Sequence, residues 1–549
     1  MSYANYANQI RLSIKKHHNW MHDSLPMIAS ENVTSPLVRE VSASDFGHRY
    51  AEGDPGKRLY QGCRYIDEVE NLAVKLAKEL FDSGYVNLLP TSGTVANISA
   101  YFAFSNPGDT IMALRVPHGG HISHAELSAA GIRGLKVKGF PFNEKSMNVD
   151  VDLAINRIRS ENPKIILFGA SVFLFPHPIK ELYDVANEVG ATIMYDGAHV
   201  LGLIAGKQFQ QPLKEGADII TGSRHKSFPG PQGGIILSKL EHRNKIHKSV
   251  FPGIVSNHHL HHIAGLAVAI AEMLEFGEAY AKQIIKNSKA LAASLSNFGF
   301  NVLCEEFGFT ESHQILVDVA KNGNGTRVAE RLEKANIIIN KNLLPWDNIK
   351  NATNPTGIRL GTQELTRLGM KEGDMTEIAD FFKRIVLNGE STEKVKKDVV
   401  EFKMNFNEVK YCFDEGDAYK YFDFYWGDLL KLVAFDLDNT LIDGDTVNEL
   451  AKFAGKEKLA LKIEEKVKKG KLSSEDSLLE RSKLLKGLEY DKIKTIVDNL
   501  PLMKGAKETT NELLSRGIKV YAISGSFDIV AEKIKKELKV DYAVGNELQ

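Results

Sequence analysis

Lys226 stands on a turn just beyond a short apolar run, Ala217–Ile220, that reads as a buried strand. Pro229–Gly233 then turns the chain into a second apolar run at 234–237. Upstream, the run at 191–195 ends in Asp196, and His199 follows three residues later. Open α/β sheets build their sites at the carboxyl ends of strands. An amine, a carboxylate and an imidazole at neighbouring strand ends suit pyridoxal phosphate: the amine forms a Schiff base, and the carboxylate keeps the pyridine nitrogen protonated so that the ring draws electrons. Taken singly, Lys226 and Asp196 also read as a surface lysine and a strand-terminal aspartate.

The elements that must position these groups follow from the pattern around them. Strands are expected at 86–90, 110–114 and 164–168, alternating with helices as far as about residue 240, which predicts a mostly parallel sheet covered on both faces. Ser92, Gly93 and Thr94 open a helix after the first strand, an arrangement that serves equally as an anion site and as ordinary capping. His121 follows Gly119 and Gly120, which suits a ring lying flat on a cofactor or a plain glycine turn. Residues 50–63 hold Tyr50, Glu52, Tyr60 and three glycines, too many breakers for a long helix, and form either a connector or a site wall. His258 and His262 have the spacing of metal ligands on a helix, but no acidic third ligand is evident near them in sequence. Residues 264–298 are expected to be helical, and a smaller α/β unit follows, with Arg359 on a short strand at 357–362. Beside an amino-acid site that arginine would clamp a carboxylate; otherwise it is a solvated or paired cation.

Composition sets outer limits. The chain has 549 residues and a net charge of −1, which gives no bulk electrostatic case for nucleic acid or a membrane surface. Cys63, Cys304 and Cys412 are odd in number and widely spaced, so a reducing, cytoplasmic setting without a disulfide framework is expected. The first residues lack the apolar core of a signal peptide, and no run approaches a membrane span. After a charged and then aromatic stretch at 390–430, a second unit begins: the strand at 431–435 ends in Asp436, with Asp438 two residues on, a pair suited to a phosphorylated aspartate beside magnesium. Residues 452–471 read as a solvated lysine-rich helix, and 518–526 as a strand ending near Ser524.

Residues 1 to about 425 resemble serine hydroxymethyltransferase, of pyridoxal phosphate fold-type I. The resemblance rests on Ile28–Asn32, Tyr50–Tyr60, Gly119–His121, Asp196–His199, His225–Lys226, Asn340–Asn342 and Gly357–Thr362, in that order. It implies a large domain at about 20–275, a small α/β domain at about 276–425, and a homodimer. It further implies that Lys226 carries the cofactor, that Asp196 pairs with the pyridine nitrogen, and that His199 and Ser171 lie near the ring hydroxyl. His121 would stack on the ring, with His225 beside the cofactor. Ser92, Gly93 and Thr94 would hold the phosphate, together with Tyr50 of a neighbouring subunit. Arg359 and Ser30 would bind the substrate carboxylate with Tyr60 close by, and Glu52 would handle the hydroxymethyl proton and meet the tetrahydropterin carrier. Serine, glycine and a reduced pterin are the implied partners. Two departures stand out. Residues 254–259 replace the family's glycine-rich loop, which resembles the archaeal branch, where the carrier can be a modified pterin. Arg224 stands where threonine is common.

Residues 431–549 resemble the amino-terminal part of phosphoserine phosphatase, a haloacid dehalogenase-like protein with a partial Rossmann-like domain and a helical cap at about 446–500. Asp436 would be the nucleophile and Asp438 the general acid and base, both near Mg2+. Ser524 would bind phosphate and Arg481 the substrate carboxylate, with Asp445 where the family uses glutamate. The resemblance stops before the family's catalytic lysine and second acidic motif, so it implies an incomplete phosphatase. A pterin-independent β-hydroxy-amino-acid aldolase is the competing reading for the first unit. A phosphoserine-binding or docking module is the competing reading for the second.

Overall fold

The computed structural model describes residues 3–413, 432–515 and 517–547, which fall into two compact units, Met1–Ala418 and Tyr419–Gln549. The aromatic stretch at 419–426 lies outside the described residues.

In the first unit a seven-stranded sheet runs in the order Tyr85–Asn87, Gly234–Ser238, Ile219–Ser223, Thr192–Asp196, Ile165–Gly169, Thr110–Ala113 and Lys136–Gly139. Six strands are parallel; Gly234–Ser238 alone runs against its two neighbours. Period-two alternation sends Ile166, Phe168, Ile193 and Tyr195 into one core, against helices Arg64–Phe81, Ile179–Glu188 and Leu260–Asn297. Ile165, Leu167, Met194 and Ile219 go into the other core, against helix Gly93–Phe104. Burial on both faces is why these strands read as unbroken apolar runs. The first strand ends at Asn87 rather than at residue 90, because Leu88–Pro90 leave the sheet for the turn that caps the next helix.

A second, antiparallel sheet orders Asn301–Val302, Gln314–Asp318, Gly357–Gly361 and Asn340–Asn342. Helices Gly325–Lys334, Glu372–Val386 and Thr392–Lys403 cover it, burying Ile315, Val317, Ile358 and Leu360 against Phe382 and Ile385. Helix Leu260–Asn297, of 38 residues, joins the two cores: Ile263 to Ile284 pack under the large sheet, and Leu291, Ala292 and Leu295 pack in the small core. The division expected near residue 275 falls inside this helix. Its length and apolarity would let it cross a membrane, but half of its most apolar window is buried inside the fold.

The second unit has parallel strands Leu432–Phe435, Lys519–Phe527 and Tyr542–Asn546, in that order. Among the described residues five helices, Thr446–Phe453, Glu457–Lys468, Ser474–Lys483, Tyr490–Asp498 and Ala506–Ser515, separate the first two strands in sequence. The single helix expected over 452–471 is two, because Gly455 at φ +70° reverses the chain between them. Ser524 lies within its strand rather than at its end, beside a register irregularity between Ile523 and Phe527.

Candidate active site

The parallel strands end together, and a cavity of about 190 Å³ opens at their carboxyl edge between Ser92–Thr94, His121, Asp196, His199 and His225–Lys226. Ser92 caps helix Gly93–Phe104 by accepting a hydrogen bond from Val95 N at 3.1 Å, which leaves the other first-turn amides free for an anion. Gly93 is required by crowding: a Cβ there would lie 2.5 Å from Ser223 Oγ.

Asp196 is buried, and three donors hold it. Asn97 Nδ2 and His124 Nε2 donate to Oδ2 at 2.7 and 2.9 Å, and the Ala198 amide donates to Oδ1 at 3.0 Å. Burial alone would raise its pKa; the hydrogen bond and charge of His124 outweigh that and hold the carboxyl well below the usual carboxylate range. Thr221 Oγ1 donates to Asn97 Oδ1 at 2.6 Å, which turns the Asn97 amide so that its NH2 faces Asp196. Neither Asn97 nor His124 was assigned a role from sequence. His124 sits three residues after His121 in the glycine turn, and only the fold shows that its ring meets Asp196.

Lys226 Nζ lies 3.4 Å from His199 Nε2. Burial, followed by the charge of Arg359, lowers its pKa from 10.5 to about 8 against the opposing pull of Asp196. Binding of pyridoxal phosphate to the cofactor-free chain, followed by absorbance, is therefore expected to speed up as pH rises through about 8; a midpoint near 10.5 would contradict this. His199 is neutral, because burial and the nearby Lys226 drive its pKa well below the ordinary value. Its tautomer follows from Gln314. The Phe173 amide donates to Gln314 Oε1 at 2.8 Å, so Gln314 Nε2 donates to His199 Nδ1 at 2.9 Å and the ring proton sits on Nε2, toward Lys226. No local pattern marks this role, since Gln314 reads only as the polar start of a strand. His121 is also neutral at pH 7, with burial lowering its pKa to about 4; Ser123 Oγ and the Ser123 amide meet its Nδ1 at 2.7 and 3.1 Å. His225 accepts from the Gly233 amide at 3.3 Å.

Arg359 is buried on strand Gly357–Gly361, where burial lowers its pKa to about 10. Its Nη1 donates to Ser171 O at 2.6 Å and its Nε to Asn340 Oδ1 at 3.2 Å, and no carboxylate pairs with it among the described residues. A buried guanidinium held only by neutral oxygens suits an incoming carboxylate. Ser171 contributes its carbonyl to this arrangement. Ser30 sits on the loop Met27–Asn32.

Tyr50, Glu52 and Tyr60 do not line this cavity. They lie on an exposed hairpin, Gly53–Asp54 paired with Lys57–Arg58, where the Tyr50 and Tyr60 rings are 5.0 Å apart. Desolvation and then the Glu52 carboxylate push the Tyr60 hydroxyl above its ordinary pKa. Arg58 makes the hairpin rigid, reaching Asp67 at 2.8 Å and also Glu70, Ala51 O and Gly53 O. His258 does have an acidic neighbour, contrary to the sequence expectation: Glu70, 3.4 Å away and brought by helix Arg64–Phe81. Arg58 already pairs with that carboxylate.

In the second unit, Asp438 Oδ1 accepts from the Thr446 amide at 2.9 Å and from the Thr446 hydroxyl. Burial, with Asp445 and Asp436 nearby, raises the Asp438 pKa despite those bonds. Arg481 Nη1 pairs with Asp445 Oδ2 at 2.9 Å. Asp436 accepts from the Leu437 amide at 2.8 Å.

A mostly parallel sheet with a lysine, a buried ionised carboxylate and a capped helix start at its carboxyl edge defines a fold-type I enzyme of the pyridoxal phosphate kind. The family model described as serine hydroxymethyltransferase matches residues 4–382, and the chain belongs to that family. Its relatives include the serine hydroxymethyltransferase of Methanocaldococcus jannaschii, 60% identical over 429 residues, covering 77% of this chain and 100% of that protein. Those of Methanocella arvoryzae (61% identity, 72% of this chain, 94% of the relative) and Archaeoglobus fulgidus (53%, 75% and 94%) are similar to it as well. Residues 430–548 match the model of the haloacid dehalogenase-like hydrolases, which generally use Mg2+.

Proposed function

We propose that residues 1–418 interconvert serine and glycine with pyridoxal phosphate, passing the hydroxymethyl unit to a tetrahydropterin, either tetrahydrofolate or a modified pterin. The reading rests on one juxtaposition: Lys226 facing His199 beside the ionised Asp196, with Arg359, which meets no carboxylate among the described residues, nearby. The donor set fits the cofactor. Ser92, Gly93 and Thr94 would take its phosphate, Asp196 its ring nitrogen, His121 its ring face, and His199 Nε2–H its ring hydroxyl. Bound pyridoxal phosphate supplies an electron sink for the substrate's α-carbon. Lys226 would hold the cofactor and receive it back, Arg359 would fix the substrate carboxylate, and Glu52 would carry the proton of the hydroxymethyl group. Serine cleavage that depends on added tetrahydropterin tests the reading; equal cleavage without it would favour the aldolase.

Glu52 lies on the surface of its own chain, so we infer a homodimer in which the Tyr50–Tyr60 hairpin serves the partner's cavity. Helix Tyr3–His22 supports this, because none of its residues is buried and Tyr3, Ile10 and Ile14 are exposed along one stripe. Cys63, Cys304 and Cys412, odd in number and widely spaced in sequence, support a reducing, cytoplasmic setting.

Two outcomes check the site. Glu52→Gln is expected to slow pterin-dependent cleavage roughly 10²–10⁴-fold, the usual contribution of a proton-handling group, while the chain still binds pyridoxal phosphate. Loss of the cofactor with an unchanged rate per bound cofactor would show a structural role instead. Arg359→Lys is expected to raise the KM for serine about tenfold or more, because an ammonium cannot reproduce a two-pronged contact with a carboxylate. An unchanged KM would place the carboxylate elsewhere.

For the second unit we propose a phosphate-handling site centred on Asp436 and Asp438 with Mg2+, with Arg481 and Asp445 meeting the substrate's charged groups and Ser524 its phosphate. Phosphate release from phosphoserine that disappears in Asp436→Asn supports catalysis. Equal background in both, with phosphoserine bound, supports a binding module.

A further inference from the structure

Three segments with separate tasks in the reading above meet at one buried hydroxyl. Tyr280, on helix Leu260–Asn297, donates its hydroxyl to Gln363 O at 2.9 Å and accepts from Asn32 Nδ2 at 2.9 Å. The same Asn32 amide donates to the main-chain carbonyl of Lys226 at 2.8 Å. Gln363 begins the helix after the Arg359 strand, and its Nε2 donates back to Ile28 O at 2.8 Å and Glu31 O at 2.6 Å.

The loop that carries Ser30 is seated firmly on that strand end. The Gly361 amide donates to Met27 O at 2.8 Å, and His313 Nε2 donates to Ala29 O at 3.0 Å. A Cβ on Gly361 would come within 2.6 Å of Ala29 Cα, so glycine is what allows this approach. The Ser30 loop and the Arg359 strand therefore move together, and Asn32 ties them to the backbone of Lys226.

We propose that Asn32 and Tyr280 are positioning residues that couple the seat of the substrate carboxylate to the main chain of Lys226. This rests on the assignment of Lys226 to the cofactor and Arg359 to the carboxylate. A carboxylate drawn to Arg359 fixes the strand end, Gln363 fixes Tyr280 and the Ser30 loop, and Asn32 passes the constraint to the Lys226 carbonyl. Neither residue lines the cavity, and neither touches the reacting atoms.

The test uses the full chain loaded with pyridoxal phosphate, comparing wild type with Tyr280→Phe, Asn32→Ala and the double variant. Tyr280→Phe keeps the ring and its packing, so it stands even if Asn32→Ala fails to fold. Cofactor content is expected to match wild type. The glycine concentration giving half the change in cofactor absorbance is expected to rise about threefold to tenfold in each single variant, as for one lost neutral hydrogen bond. The double variant is expected to be no more than about twofold worse than the poorer single, because both changes cut one path. Fully additive losses would overturn the coupling, as would a lower melting temperature with unmoved glycine titrations. A wild-type chain whose bound cofactor ignores glycine would instead overturn the underlying assignment, and the coupling with it.

Discussion

Lys226→Ala is expected to abolish serine cleavage while leaving the fold intact. The side chain is buried at the end of its strand, and its Nζ has one close neighbour, His199. No salt bridge depends on it among the described residues, so its removal opens a small polar space without orphaning a partner charge. What is lost is the amine that holds and recovers the cofactor. Pyridoxal phosphate is expected to remain bound non-covalently, through Asp196 and the cap at Ser92–Thr94, and so to be removable by gel filtration from the variant but not from wild type. Wild-type turnover in the alanine variant would refute the site.

Asp196→Asn is expected to cost on the order of 10³-fold in turnover, in the range for a group that keeps a proton on its reacting partner. The substitution fails in two ways. It removes the negative charge that holds a proton on the pyridine nitrogen. It also brings an NH2 group to a position already met by donors from Asn97, His124 and Ala198, so one buried donor loses its acceptor. Tighter cofactor binding or unchanged turnover in this variant would show that Asp196 only organises the turn.

The reactive residues were legible because each ends an apolar run: Ile219–Ile220 leads to the turn of Lys226, and Ile193–Tyr195 leads to Asp196 and His199. Burial on both faces of a parallel sheet leaves that signature, and function sits where it stops. The groups that tune these residues were not legible. His124 and Gln314 lie 72 and 115 residues from the side chains they contact, and no local pattern marks such pairs. Helix bounds shifted for the opposite reason. A single glycine at 455 outweighed a helix-favouring lysine pattern, because its left-handed backbone reverses the chain at little steric cost. The loop of Glu52 read equally as a connector or a site wall, and a choice that depends on assembly is not encoded in the spacing of one sequence.

The lone reversed strand, Gly234–Ser238, has a kinetic consequence. Because Ser223 pairs with Gly234, the ten residues between them form a loop clasped at its base, and the Arg224 amide to Gly233 O at 3.1 Å and the Gly230 amide to Arg224 O at 2.8 Å tighten it further. The entropy of closing that loop is settled when the sheet forms and not at each catalytic cycle. Lys226 can thus let go of a bound partner and take it up again by rotating its own side-chain bonds. Its backbone amides should exchange with solvent deuterium only as slowly as the central sheet itself opens.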